Sequence, residues 1–279
     1  MFVSDRLTYS HIVGGVTAKR SAHERFPEVI GAAVRVFARD GYRSAHMSDV
    51  AREAGLSEAA LYRYVGGKED LFVLAIRHAL LLEPLPGEHD PAGQFPLTVP
   101  DLGEMIRQAR EFVAAEVPFG ALADALAAPG AGRPAAELEL ILRELFSLEE
   151  QTAQAADMIE RSARELPELA DLLNSGLRRP VLDALTRYLD SRAQAGQMRR
   201  TPDTAATARL VLETLTWFAR HRHSDPLGAA ISADLALRTA LDALLHALVP
   251  ARYLPDDDRP AAGDGGDQYL AEPVLAERG

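Results

Sequence analysis

The sequence predicts an all-α protein of two unequal parts, a small amino-terminal unit with a helix-turn-helix pattern and a larger carboxy-terminal helical unit. Three observations carry this. Apolar residues recur three and four apart in one segment after another, and strand-like alternation persists nowhere. The stretch Glu83 to Pro100, "EPLPGEHDPAGQFPLTVP", holds five prolines and two glycines and cannot continue a helix. At 279 residues the chain exceeds one small domain. We therefore expect domains at 20–82 and 101–249, with an acidic, Pro/Gly/Asp-rich tail at 250–279 left disordered.

Arg25 to Asp40 sets Phe26, Ile30, Ala33 and Phe37 on one face of a first helix, which Gly41 stops. Met47 to Ala54 reads as a short second helix with Val50, Ala51 and Ala54 inward, and Gly55 suits the left-handed position that follows a helix end. Ser57 can cap a third helix through Tyr64, and Lys68 to Leu82 makes a fourth. Beyond the proline-rich break, Leu102 to Val117 and Phe119 to Ala128 are separated by Pro118. Pro134 to Leu166 reads as one long helix, with Leu138, Ile141, Leu142, Leu145 and Leu148 on one face and Leu140 and Phe146 on another. Pro167 to Ala195 is expected to kink at Pro180, and Asp203 to Arg222 and Ser232 to Val249 complete the set.

Composition narrows the chemistry. Hydrophobic residues make up 47% and charged residues 25%, enough for a substantial core. The absence of cysteine excludes disulfides, thiolate metal sites and a cysteine nucleophile. With no signal-like start and no run of 18 apolar residues, a cytoplasmic location away from the membrane is expected. The net charge of −11 argues against a polyanionic partner, but it is unevenly spread. Residues 1–82 carry eleven Lys/Arg against nine Asp/Glu, and the remainder nineteen against thirty-two. Any nucleic-acid surface therefore belongs to the first part.

Within that part Ala51 lets two helices approach, Gly55 turns the corner and Leu61 closes the apolar seam, as a helix-turn-helix requires. The pattern is loose and also fits an ordinary helical hairpin. Its flanks add weight. "GYRSAHMSDVAREAGLSEAALYRYVGGKEDLF" resembles the amino-terminal DNA-binding domain of TetR-type (TetR/AcrR) transcriptional regulators, with Gly41, Tyr42, Asp49, Ala51, Ala54, Gly55, Ser57, Leu61, Tyr62, Tyr64, Lys68, Asp70 and Leu71 at matching places. The resemblance implies a three-helix DNA-binding domain followed by a larger domain for ligand binding and dimerisation. Its implied partners are double-stranded operator DNA with an inverted repeat, a small-molecule effector of unknown identity, and a second copy of the chain; it implies no cofactor.

The resemblance assigns roles by position. Tyr62, Tyr64, Ser57 and Lys68 would meet phosphates, Lys68 at the start of its helix where free N–H groups add to its charge. Ser48, Glu58, Ala59 and Arg63 would influence sequence choice, Arg63 through guanine edges. Arg43 and His46 complete the expected DNA surface, and for the tyrosines packing against the fourth helix is the alternative. Ala45 and His46 stand where the family usually has a Thr/Ser pair, and Ala60, Val65 and Gly67 also depart from it, which puts phosphate contacts in doubt. Lys19, Arg20 and Arg25 could replace the lost attraction as a basic arm.

Other candidates are weaker. "VGGKED" lacks the glycine and the Ser/Thr of a phosphate loop, and His221, His223 and Asp225 have the wrong spacing for a helical metal site, so no metal is expected. Glu137, Glu139, Glu144, Glu149 and Glu150 read as a solvated helix face rather than a catalytic carboxylate pair, and no enzyme is expected. Inward positions of the larger unit suggest Met105, Phe112, Phe146, Met158, Tyr188 and Trp217 as pocket residues, with core packing the commoner use of such stripes, and Arg107 could meet an acidic ligand, with plain exposure the simpler reading. The apolar stripes of the last two helices suggest Val211, Leu215, Leu241, Leu245 and Leu248 as dimer interface. The alternative function is a helical-bundle enzyme or ligand-binding protein whose amino-terminal hairpin serves only protein contacts.

Overall fold

The computed structural model describes residues 22–82, 95–117, 120–128 and 133–254. Lys19, Arg20, Pro118, most of the proline-rich break and the tail beyond 254 lie outside the described residues. Every regular element among the described residues is helical: α1 (Ala22–Ser44), α2 (Met47–Glu53), α3 (Glu58–Leu61), α4 (Lys68–Ala79), α5 (Leu102–Glu116), α6 (Gly120–Ala127), α7 (Pro134–Gln151), α8 (Ala153–Ser162), α9 (Pro167–Asp171), α10 (Arg179–Gln194), α11 (Thr204–Ala219) and α12 (Ala233–Leu248). A π-helix at Leu172–Arg178 joins α9 to α10.

Local chemistry explains most boundaries. The Ser57, Asp101, Asp203 and Ser232 side chains accept the first free N–H groups of α3, α5, α11 and α12. Gly41, at φ 74°, breaks α1 geometry three residues before its end, and Gly55, at φ 63°, turns the chain from α2 into α3.

Three expected elements differ. The helix predicted over Ser57 to Tyr64 closes after Leu61. The single helix predicted from Pro134 to Leu166 is two, because the Thr152 hydroxyl donates back to the Leu148 carbonyl at 2.7 Å and the chain leaves α geometry there. Ahead of Pro180, which cannot donate to a carbonyl of the preceding turn, the helix widens into the π turn.

The apolar cores do not divide at the proline-rich break. One cluster joins Phe26, Ile30 and Phe37 of α1, Leu61, Leu71, Phe72 and Ile76 to Met105 and Ala109 of α5 and to Ala155, Met158 and Ile159 of α8. The other joins α6, α7, α10, α11 and α12 around Leu138, Leu142, Tyr188, Val211, Leu215 and Leu241. Phe95, in the stretch read as a loop, packs its ring 5.3 Å from Phe26 and 5.2 Å from Tyr64, and Leu97 N–H donates to the Tyr64 carbonyl. The segment after the break thus seals the amino-terminal core.

Candidate nucleic-acid interface and effector cavity

The α2–α3 hairpin is held by its backbone. Leu56 N–H donates to Ala51 O at 2.8 Å and Gly55 N–H to Arg52 O at 3.1 Å. A side chain at Gly55 would meet no atom within 4 Å, so its positive φ rather than crowding calls for glycine. Val50, Ala51, Leu61 and Val65 turn inward and close the seam. The opposite face leaves Arg43, His46, Ser48, Ser57, Glu58, Ala59, Tyr62 and Arg63 exposed, with Tyr62 at 45%. Eight of the ten residues expected at DNA are therefore exposed.

The other two differ. Tyr64 is 4% exposed and packs between Phe26 and Phe95, so its aromatic surface belongs to the core and not to a phosphate contact. Lys68 is half-buried; its Nζ donates to the Arg43 carbonyl at 3.0 Å and lies 4.7 Å over the Tyr42 ring. Burial lowers the pKa of this ammonium, with the Glu165 carboxylate opposing. Lys68 thus fastens the start of α4 to the end of α1, and two of its three donors remain for an anion.

Basic charge on this surface is selective. Arg35 pairs with Glu53 at 2.8 Å, Arg39 with Asp40 at 2.7 Å and Arg52 with Asp49 at 2.6 Å. Arg43 and Arg63 have no carboxylate partner among the described residues. His46 does not restore the missing Thr/Ser contact with its side chain, but its N–H donates to Asp49 at 3.2 Å, so the start of α2 is held.

The end of α1 is bound to the larger unit. Tyr42 N–H donates to Ser162 Oγ at 2.9 Å and Arg43 N–H to Glu165 Oε2 at 3.0 Å. Gly41 makes the corner that presents these groups, and a side chain there would reach Arg161 at 3.5 Å.

A cavity of about 170 Å³ opens between α5, α7, α8, the π-helix, α10 and α11, and is also walled by Leu80 and Leu82 just beyond α4. Phe112, Val113, Val117, Leu145, Leu148, Leu173, Leu177, Val181 and Leu212 make it apolar, and Glu149, Thr152, Arg178 and Arg220 are its polar wall. Of the six expected pocket residues only Phe112 lines it. Met105 and Met158 fill the first core, Phe146 and Tyr188 the second, and Trp217 sits half-buried against Phe218. Arg107 is exposed and paired with Glu104 and Glu111.

The carboxylates of α7 are not one solvated face. Glu137 receives Arg192 Nε at 2.6 Å and the Tyr188 hydroxyl at 3.1 Å, inside the second core; burial is the largest cause of the raised Tyr188 pKa, ahead of the Glu137 charge. Glu150 pairs with buried Arg222 at 3.3 Å, Glu144 accepts the Ala121 N–H at 2.8 Å, and Glu149 faces the cavity. Only Glu139, paired with Arg143 one turn on, fits the expectation. The signal missed was the set of arginines at distant positions, whose partners a helix-by-helix reading cannot find.

The interface stripes also turn inward. Val211, Leu215, Leu241 and Leu248 are buried in the second core and Leu245 packs half-buried against it. The faces of α11 and α12 left to solvent instead carry Leu210 at 63% and Leu235 at 47% exposure. Among the described residues no group of three His, Asp or Glu is arranged to hold a metal ion, and no helix is long and apolar enough to cross a membrane.

Comparison with known proteins agrees with the hairpin. Residues 29–75 match the family model for bacterial regulatory proteins of the tetR family. The chain is 34% identical over 65 residues to the HTH-type transcriptional regulator HbdR of Aromatoleum sp. (strain CIB), covering 23% of this chain and 28% of that protein. It is 35% identical over 49 residues to a fatty acid metabolism regulator protein of Bacillus subtilis (strain 168), covering 18% and 25%. These matches span only about a quarter of each relative. The solved structure of SmeT, the repressor of the Stenotrophomonas maltophilia multidrug efflux pump SmeDEF, aligns at 16% identity over 86% of this chain and 96% of that one, with a TM-score of 0.46. The sequence match runs from α1 into α4, over a hairpin whose cap, corner and seam are all in place, and makes this part of the chain similar to the bacterial regulatory proteins of the tetR family.

Proposed function

We propose that the chain is a transcriptional regulator that binds an inverted-repeat operator as a homodimer and represses until a small molecule occupies the cavity. The observation that carries this reading is the set of exposed side chains along α2 and α3, opposite a seam that is buried. The buried side packs into the core while Ser48 on α2, and Ser57, Glu58, Tyr62 and Arg63 on or beside α3, stay exposed, with α3 the helix that would enter a major groove. Arg63 and Arg43, exposed at this face, have no carboxylate partner among the described residues and are suited to base and phosphate respectively. Relatives named as transcriptional regulators support it.

Dimerisation, in this reading, uses the outward faces of α11 and α12 around Leu210 and Leu235 rather than the buried stripes. Effector release follows from the wall formed by Leu80 and Leu82. A molecule pressing there displaces the end of α4, whose other end is fastened through Lys68 to the end of α1 just before the hairpin, and shifts the population towards a spacing that no longer fits successive grooves.

Fluorescence anisotropy against the DNA upstream of the chain's own gene tests the proposal. Lys68→Ala should weaken binding to all sequences and flatten the salt dependence by about one phosphate, whereas Arg63→Ala should change base preference. Leu210→Glu with Leu235→Glu should give a monomer in sedimentation and lose operator affinity. Absence of salt-sensitive, sequence-specific binding across neighbouring promoters would overturn the regulator reading.

A further inference from the structure

We propose that the effector is an amphipathic anion, an apolar body seated among the cavity leucines with a carboxylate head held by Arg178. The inference rests on the reading of this cavity as the effector site, and it follows from how the charges on the polar wall are partnered.

Arg220 is 3% exposed and already engaged, with Asp157 at 3.0 Å and with Glu160, both on α8. Arg178 has Glu160 as its nearest carboxylate at 3.9 Å, beyond hydrogen-bond reach, and that carboxylate is bonded to Arg220. Its side chain is only 18% exposed, so water is a poor substitute partner. Arg178 is therefore the cavity cation with donors to spare, and a planar guanidinium matches a carboxylate with two parallel bonds.

The alternatives meet the wall less well. A cationic head would face two guanidiniums and one carboxylate, Glu149, whose pKa burial raises although Arg178 and Arg220 pull it down. A neutral apolar molecule would strip water from Arg178 and offer its donors nothing. An anion satisfies them, and the apolar lining from Phe112 to Leu212 receives the rest of the molecule. Arg178 stands where it does because it ends the π-helix, which also brings Leu173 and Leu177 to the wall. Such wide turns occur frequently at functional sites.

The test is calorimetry of the full chain with three probes of equal chain length, decanoate, decanol and decyltrimethylammonium, below their aggregation limits. Decanoate should bind at least tenfold more tightly than either of the others. Arg178→Gln should remove that preference while leaving decanol affinity within about twofold, and Arg178→Lys should restore part of it. Equal or tighter binding of decanol or the ammonium probe overturns the proposal, as does the failure of all three to bind. If the predicted selectivity holds but decanoate does not lower operator retention in the anisotropy assay, the anion site stands and the effector reading fails. Loss of operator binding in the absence of any probe leaves the calorimetric result independent.

Discussion

The amino-terminal helices and the larger unit handle charge in opposite ways. Among the described residues α1 to α4 bury no charged side chain, whereas the larger unit buries Arg192, Arg220 and Arg222, each against a carboxylate. An apolar seam such as Val50, Ala51 and Leu61 has one good packing and presents its exposed face rigidly. Buried ion pairs add little net stability but have definite alternative partners, which an entering charge can offer. Of the three buried arginines Arg220 stands on the cavity wall, so in the proposed reading its ion pairs are the ones an effector would meet, while the apolar seam keeps the hairpin fixed.

The contrast breaks most visibly at Arg192. Its guanidinium is bonded to Glu137 and to the Ala125 carbonyl, so Arg192→Ala should cost about 3–5 kcal/mol by leaving a carboxylate without its partner. Urea denaturation measures this, and replacing Arg192 and Glu137 together by leucine should recover most of the loss. A single-mutant loss below about 1 kcal/mol would mean that the pair is solvated. Next comes Gly41→Ala, which forces φ 74° on a residue with a side chain and should cost about 1–3 kcal/mol, read as a lower Tm. An unchanged Tm would mean that the corner relaxes.

The smallest effect sharpens the comparison at Glu149. Burial raises its pKa, so the ionised form is disfavoured in the folded chain; the penalty is absent below the unfolded carboxylate pKa and complete above the folded one. Glu149→Gln should therefore raise Tm by a degree or two at pH 8 and leave it unchanged near pH 4, with thermal scans across that range as the check. A gain that is the same at both ends would remove desolvation as its cause.

Much of the amino-terminal unit was legible because its determinants are local. Ser57 caps within three residues, Gly55 needs its own φ, and the α1 stripe from Phe26 to Phe37 repeats with the helical period. What escaped was the third dimension. Periodicity identifies a stripe such as Val211 and Leu215 without saying whether it faces its own chain or another, and here the chain's own core takes it. The cavity was illegible for the same reason, since its wall draws one to three residues from each of six helical segments and adds Leu80 and Leu82. Phe95 was hidden in a composition that reads as loop, although an aromatic beside Pro96 in such a stretch was a signal available for packing.

The bonds from Tyr42 and Arg43 to Ser162 and Glu165 have a consequence for measurement. Both amide protons lie at the end of α1, yet their acceptors belong to the segment around the end of α8, so they are shielded only while the two parts of the molecule stay docked. Their deuterium uptake is a clock for that separation. An effector that loosens the docking should speed uptake at these two positions while leaving the centre of α1, deep in the first core, as slow as before.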